Sequence, residues 1–259
     1  MQKTLIIQVE VGNTPGYVYR ATESPKAAAA IEPINEFLIP SVKKYCKKHN
    51  YDYKKVTEYP KDLDITYFNK NTKDKNYDYS KGGKNKCSTL IRYLAMGDNN
   101  YERIVILDND IWIPPWAEKL PEVFGHYGVV DLGKDYSGFV NQFSLPFGKF
   151  INGGVQMVSK EAGKSLKKYI IEAIQRKAEP PGRLHTDQAY MNHWRSQHII
   201  HAYTLSYKWN YMVGCHGGKD YQKANFIHYA GWDGRGILME DIDYIRGQTN
   251  TEKYRGISG

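Results

Sequence analysis

Short apolar runs alternate with amphipathic stretches along the chain. Residues 4–11 are apolar and β-branched and stop at Gly12-Asn13, which predicts a buried strand running into a loop. In residues 34–49, Ile34, Leu38, Val42 and Tyr45 recur at helical spacing, and Pro40 predicts a kink or a later helix start. A second strand is expected over 51–56. A long loop is expected over the Lys-, Asn-, Asp- and Tyr-rich stretch 61–84. Cys87, Leu90, Ile91 and Leu94 place a helix over 86–95, closed by Gly97. The run Arg103-Ile-Val-Ile-Leu107 is continuously apolar after its first residue, the signature of a strand covered on both faces, and it ends in Asp108-Asn109-Asp110.

Strand, helix, strand, helix, strand is the grammar of an α/β fold with a mostly parallel central sheet flanked by helices. Further along, 150–159 reads as a strand around Asn152-Gly153-Gly154. A helix follows with Leu166, Tyr169, Ile170, Ala173 and Ile174 on one face, until Pro180-Pro181 stops it. A short helix starts near Thr186-Asp187-Gln188, and apolar strands are expected at 199–205 and 225–229. No internal repeat and no Pro-, Gly- or Ser-rich linker divides the chain, so residues 1–259 are expected to form one domain.

Composition narrows the class. At 259 residues, with 41% apolar and 25% charged side chains, the chain can bury a real core and is no disulfide-stapled miniature. Its apolar runs are too short to span a bilayer, and the N-terminal segment lacks the long apolar core of a signal peptide, so a cytosol-like compartment is expected. Cys46, Cys87 and Cys215 are odd in number and far apart, which indicates neither a disulfide framework nor a zinc site. The formal net charge of +8, from 36 basic and 28 acidic residues, is compatible with a nucleic acid, an anionic membrane surface or a phosphate-rich substrate. A solvated basic face is the plainest account of the lysines in 43–86.

Candidate chemistry begins at Asp108-Asn109-Asp110. Residues i and i+2 of an extended chain point the same way, so two carboxylates converge at the C-terminal edge of a parallel sheet, where open α/β folds bind ligands. Two hard oxygen donors suit Mg²⁺ or Mn²⁺, although an isolated Asp-x-Asp is more often an ordinary solvated turn. His228, in Phe226-Ile-His-Tyr-Ala-Gly231, is either a hydrogen-bonded core residue or a manganese ligand. Asn152-Gly153-Gly154 is either a bulge or a place where backbone approaches a ligand closely. Thr186-Asp187-Gln188 taken alone reads first as a helix start, with Thr186 capping and Asp187 complementing the dipole, although a carboxylate followed by an amide at a helix mouth is also good chemistry for sugar hydroxyls.

Taken in order, these fragments resemble the metal-dependent glycosyltransferases of GT-A fold, particularly family GT8, which includes glycogenin and lipopolysaccharide galactosyltransferases, and the related family GT34. The resemblance is carried by Lys86-x-x-x-Leu90-x-x-x-Leu94, Ile-Val-Ile-Leu-Asp108-Asn-Asp110, Phe150-Ile-Asn152-Gly-Gly154-Val, Thr186-Asp187-Gln188-Ala-Tyr-Met-Asn192, Tyr207-Lys-Trp209-Asn210-Tyr and Phe226-Ile-His228-Tyr-Ala-Gly231. It implies a nucleotide-binding half at 1–110 and an acceptor-binding half at 111–259. It also implies Asp108, Asp110 and His228 as the set for Mn²⁺ or Mg²⁺, with Asp108 shared with the nucleotide ribose. Val9 and Val11 would flank the base, and Lys86 or Arg92 would set a positive charge near the diphosphate. Asn152, Gly154, Asp187 and Gln188 would contact the donor sugar, Gln188 closest to the reacting face.

In one place the chain departs from that pattern. The family commonly carries a Lys three residues after the Gly of its His-x-x-Gly, and here that position is Gly234. Arg235, read as part of a Gly-flanked loop, is the expected substitute on the phosphates. The implied reaction is transfer from a nucleotide-diphosphate sugar, most often a UDP-sugar, to a glycan or other hydroxyl acceptor with retention of configuration. The acceptor side is expected at 131–150 and 207–221, and peripheral membrane contact is compatible with the charge. Inversion would require a carboxylate base such as Asp131, Asp135 or Asp220. Two other classes share some features. A nucleotidyltransferase would show a basic Gly-rich phosphate loop, which 11–16 matches poorly, and a non-catalytic nucleotide- or nucleic-acid-binding protein would not need the metal set.

Overall fold

A computed structural model of the chain describes residues 2–9, 29–58, 94, 96, 100–130, 150–176, 187–213, 215 and 220–255. Strands β1 (Thr4–Val9), β2 (Asp52–Val56), β3 (Arg103–Leu107), β5 (His126–Val130), β6 (Ile151–Ser159) and β7 (Ala202–Leu205) form one six-stranded sheet in the order β2-β1-β3-β6-β5-β7. β1 runs parallel to β2 and β3, and β5 parallel to β7, while β6 runs against both its neighbours. The sheet is therefore mostly parallel with one reversed strand. An apolar run buried on both faces reads the same in either direction, so the sequence pattern carries no sign of that reversal. Short strands β4 (Ile111–Trp112), β8 (Tyr211–Met212) and β9 (Ile227–His228) form a second sheet, ordered β4-β9-β8.

The large sheet is covered as its alternation dictates. Leu5, Ile7, Ile104, Ile106 and Val158 share a core with Leu166, Ile170 and Ala173 of helix α2 (Lys160–Gln175) and with Met191 and Trp194 of helix α3 (Asp187–Ser196). On the opposite face Ile6, Val105, Leu107, Val155 and Met157 pack with Val42, Tyr45 and Cys46 of helix α1 (Ile39–His49). Each such side chain contributes about 1.5–3 kcal/mol when fully buried. A third cluster, with Phe37, Leu38, Trp112, Ile227, Tyr229, Leu238 and Ile245, joins the small sheet to helix α4 (Gly231–Arg255).

Pro40 marks neither a later helix start nor a break; the helical run begins before residue 34 and changes pitch just ahead of the proline. A single α-helical turn, Ile31–Pro33, passes into a π-helical stretch, Ile34–Leu38, before α1 begins. Pro40 lies just beyond that stretch, and the chain stays in the right-handed helical region on both sides of the junction, so the π-helical turn is where the run accommodates a residue with no N–H to donate. The strands expected at 199–205 and 225–229 are shorter than their apolar runs, and the loop expected at 61–84 lies outside the described residues, as does all but Leu94 of the helix expected at 86–95. Among the described residues no helix is long and apolar enough to cross a membrane.

One buried histidine gives the fold an acid limit. His126 on β5 is 2% exposed, and its Nε2–H donates to Gln156 Oε1 on β6 at 2.6 Å. Burial, with Arg195 nearby, outweighs that hydrogen bond and pushes its pKa down to about 4. A histidine kept neutral in the folded state and free to protonate when unfolded makes stability fall as pH drops from about 6.5 towards 4. Urea unfolding at pH 7 and pH 4.5 is expected to show a loss about 2 kcal/mol greater for the wild type than for His126→Gln; equal acid losses would rule out this origin.

Candidate functional site

The site is built on the turn that follows β3. Asp108 N–H donates to Gly154 O at 2.9 Å, Gln8 Nε2 donates to Asp108 O at 3.0 Å, and Asn109 Nδ2 donates to Val9 O at 3.0 Å. The backbone of the Asp-Asn-Asp turn is thus tied to the ends of β1 and β6. Beyond it, β4 pairs antiparallel with β9, with Ile111 opposite His228, and Tyr229 N–H donates to Asp110 O at 2.9 Å. That pairing brings together a histidine and two carboxylates more than a hundred residues apart in the chain.

His228 Nε2 lies 3.2 Å from Asp110 Oδ1 and 3.7 Å from Asp108 Oδ2. His228 and Asp110 are buried, whereas the Asp108 side chain is 35% exposed and opens the cluster towards solvent. The ring is seated against Gly154. A Cβ there would overlap His228 Cε1 and stand 2.6 Å from Nδ1, so position 154 needs a glycine for the imidazole to fit. The other ring nitrogen, Nδ1, bonds Asn210 Oδ1 at 2.9 Å. Asn210 Nδ2 donates to Asn152 Oδ1 at 2.8 Å, and that oxygen also accepts the Gly154 N–H at 2.7 Å.

Three potential ligand atoms, one from each of Asp108, Asp110 and His228, lie within 4.8 Å of one another. Neighbouring ligands of an octahedral Mg²⁺ or Mn²⁺ stand about 3 Å apart, so the residues fit such an ion. Electrostatics point the same way. With Nδ1 donating to Asn210, Nε2 faces the carboxylate oxygens, and either an imidazolium proton shared with Asp110 or a cation must lie between them for the cluster to persist. Burial by itself would raise the Asp110 carboxyl, but the charge and hydrogen bond of His228 and the Arg235 guanidinium outweigh it and hold that carboxyl below its usual range.

Arg235 is not on a loop. It lies in the opening turns of α4, buried, with Nη2 3.5 Å from Asp110 Oδ2. The helix is anchored by Asp241, which accepts the Tyr221 and Tyr229 hydroxyls; burial with that carboxylate raises both phenols. The glycine at 234 has a steric cause. A Cβ there would meet the carbonyl carbon of Tyr229 and stand 2.8 Å from its oxygen, so a Lys at 234 would require this backbone to move.

The structure brings Asp108, Asp110, His228, Asn152, Gly154 and Arg235 together, and Val9 takes part through its carbonyl. Val11, Lys86, Arg92, Asp131 and Asp135 lie outside the described residues. Asp187 and Gln188 open α3, with their side chains outside the described part. That helix is clamped to β6 by Asn192, which donates to Ile151 O at 2.9 Å and accepts Ile151 N–H at 2.8 Å. Asp220 is exposed and ion-paired with Lys223. The residue that sequence reasoning left without a role is Asn210, present in the Tyr207-Lys-Trp-Asn-Tyr fragment but with no spacing to link it to His228.

The seat beneath the imidazole makes a direct prediction. Gly154→Ala is expected to keep a cooperative fold at a cost of about 1–3 kcal/mol from overpacking, while Mn²⁺ affinity by isothermal titration falls about tenfold or more as the ligand nitrogen is displaced. Unchanged Mn²⁺ affinity would show that the ring position is not what shapes the cluster.

No protein-family model matches the sequence, and no curated protein matches it. Among solved structures, a glycosyltransferase involved in glycosylation of the major capsid of PBCV-1 superposes with a TM-score of 0.51 at 14% identity, covering 94% of this chain and 98% of that one. The galactosyltransferase LgtC, in complex with donor and acceptor sugar analogues, gives a TM-score of 0.47 at 15% identity, covering 94% of this chain and 95% of that one. Mouse xyloside xylosyltransferase 1 gives 0.44 at 14% identity, covering 87% of this chain and 97% of that one. From the capsid-glycosyltransferase superposition and the sheet order described above, this chain has the GT-A glycosyltransferase fold.

Proposed function

We propose that this protein is a metal-dependent glycosyltransferase that moves a sugar from a nucleotide diphosphate, UDP in the first instance, to a hydroxyl of a glycan or similar acceptor with retention. The observation that carries the reading is the convergence of Asp108, Asp110 and His228 at the sheet edge of a GT-A fold. In this reading those three residues hold Mn²⁺ or Mg²⁺. When bound, the ion neutralises charge that develops on the leaving diphosphate.

The chain's own residues do the rest. Asp110 and His228, both buried, give the site a rigid floor, and half-exposed Asp108 is placed to serve both the ion and a ribose hydroxyl. Val9 and Val11, at and beyond the end of β1, flank the base. Arg235 sets a fixed guanidinium beside Asp110, and Lys86 or Arg92 adds a second positive charge, so a dianionic diphosphate meets a cationic wall. Asn152, Gly154, Asp187 and Gln188 bound the donor sugar, Gln188 at the reacting face. The acceptor hydroxyl attacks the anomeric carbon from the side the diphosphate leaves, and its proton passes to a departing diphosphate oxygen.

Thermal unfolding with UDP, GDP or single-stranded nucleic acid, each with and without Mn²⁺, tests the class. UDP at a hundredfold its Kd adds about 2.7 kcal/mol, a shift of several degrees, and the shift is expected only with Mn²⁺ present. Arg235→Ala is expected to weaken UDP binding about tenfold or more through the lost charge-assisted contact. A donor panel followed by proton NMR of the product's anomeric signal then reads sugar and stereochemistry together. Stabilisation by nucleic acid alone, indifferent to metal, would overturn the proposal.

A further inference from the structure

We propose that Asn210 is a positioning residue that decides which nitrogen of His228 faces the carboxylates, and that the direction of its hydrogen bonds is set by the backbone N–H of Gly154. This rests on reading Asp108, Asp110 and His228 as the metal set.

The direction of the relay follows from one group that cannot be reversed. A backbone N–H only donates, so the Asn152 atom that receives the Gly154 N–H at 2.7 Å is its oxygen. The same oxygen lies 2.8 Å from an amide atom of Asn210, which must therefore be the NH₂ nitrogen. Turning the Asn210 amide over would set two carbonyl oxygens against each other at that distance. The remaining Asn210 atom, 2.9 Å from His228 Nδ1, is thus an acceptor, and Nδ1 must carry the hydrogen. In the neutral ring that leaves the Nε2 lone pair directed at Asp110 and Asp108, the form in which the ring can ligate an ion. In the opposite tautomer the ring would offer the cluster an N–H and could not bind a metal through that atom.

Burial makes the relay more than incidental. Asn210 is fully buried, Asn152 is 5% exposed and His228 is 3% exposed. A buried amide is costly unless its hydrogen bonds are made, and a Leu would fill the same space without that cost. Asn210 sits between the 3₁₀ turn Tyr207–Trp209 and β8, whose Met212 is opposite His228 in the parallel pair with β9. The small sheet therefore carries both the ligand and the residue that orients it. Second partners of ligating histidines typically change metal affinity by about 10–100-fold when removed.

The test compares wild type, Asn210→Leu, Asn152→Asp and Asn152→Ala, with Ser41→Ala as a control that removes a buried hydrogen-bonding side chain from α1. Mn²⁺ affinity is measured by isothermal titration without nucleotide, alongside denaturant unfolding. Asn210→Leu is expected to lose about 10–100-fold in Mn²⁺ affinity. Asn152→Asp, which keeps the acceptor, is expected to stay within severalfold of wild type, and Asn152→Ala to fall below it. Ser41→Ala is expected to lose stability with Mn²⁺ affinity unchanged. In the Co²⁺-substituted wild type, proton NMR is expected to show a hyperfine-shifted, slowly exchanging Nδ1–H that is lost or exchanges fast in Asn210→Leu. Should Asn210→Leu fail to fold, the Asn152 pair gives the same reading. Unaltered Mn²⁺ affinity in Asn210→Leu and Asn152→Ala overturns the role of Asn210 while leaving the metal set standing. A wild type that binds no Mn²⁺ with or without UDP overturns the metal set and this role together.

Discussion

The imidazole of His228 occupies the space that a side chain at position 154 would fill, and the candidate site depends on that contact. The ring can reach Asp108 and Asp110 only because β9 pairs with β4, which continues directly from the Asp-Asn-Asp turn. It can stay there only because β6 offers a glycine at the point of contact. β6 is also the reversed strand of the large sheet. Its Asn152 and Gly154 meet the relay from Asn210, while Val155, Met157 and Val158 hold the core on both faces. Candidate chemistry at the start of the strand and packing along the rest of it thus share β6.

Such a cluster opposes folding when it stands alone. Three acceptor atoms gathered in a largely buried place repel one another unless a positive charge or a proton lies among them. The chain supplies part of that charge through Arg235, which α4 carries to within 3.5 Å of Asp110. Asp241, gripping Tyr221 and Tyr229, locks the helix at that position. The net charge of +8 alone does not distinguish a nucleic-acid partner from a phosphate-rich substrate. One buried guanidinium facing a carboxylate cluster is far more specific than the sum, because it is placed.

Much of this architecture is legible in residue order. The apolar run 103–107 ending in Asp-Asn-Asp announces a buried strand with carboxylates at its tip, and Leu166, Ile170 and Ala173 mark the inner face of α2. Asp110 and His228 are recognisable as a pair through the order of fragments that resemble GT-A enzymes. Three features were not legible, each for a physical reason. The reversal of β6 leaves no trace in a strand buried on both faces. α4 opens with three glycines in six residues, a composition that reads as loop; the helix is held to the small sheet by the buried Leu238 and Ile245, a tertiary contact that propensity does not register. Asn210 acts through a hydrogen bond to a residue 18 positions along the chain, a spacing that no periodicity encodes.

Whether His228 Nε2 and the carboxylates of Asp108 and Asp110 share one divalent ion is read by anomalous diffraction at the manganese edge from crystals grown with Mn²⁺ and UDP. One manganese peak is expected among these three side chains, with His228 Nδ1 still on Asn210. Ordered UDP without a manganese peak there, or a peak with His228 turned away from it, would show that the three residues do not hold the ion.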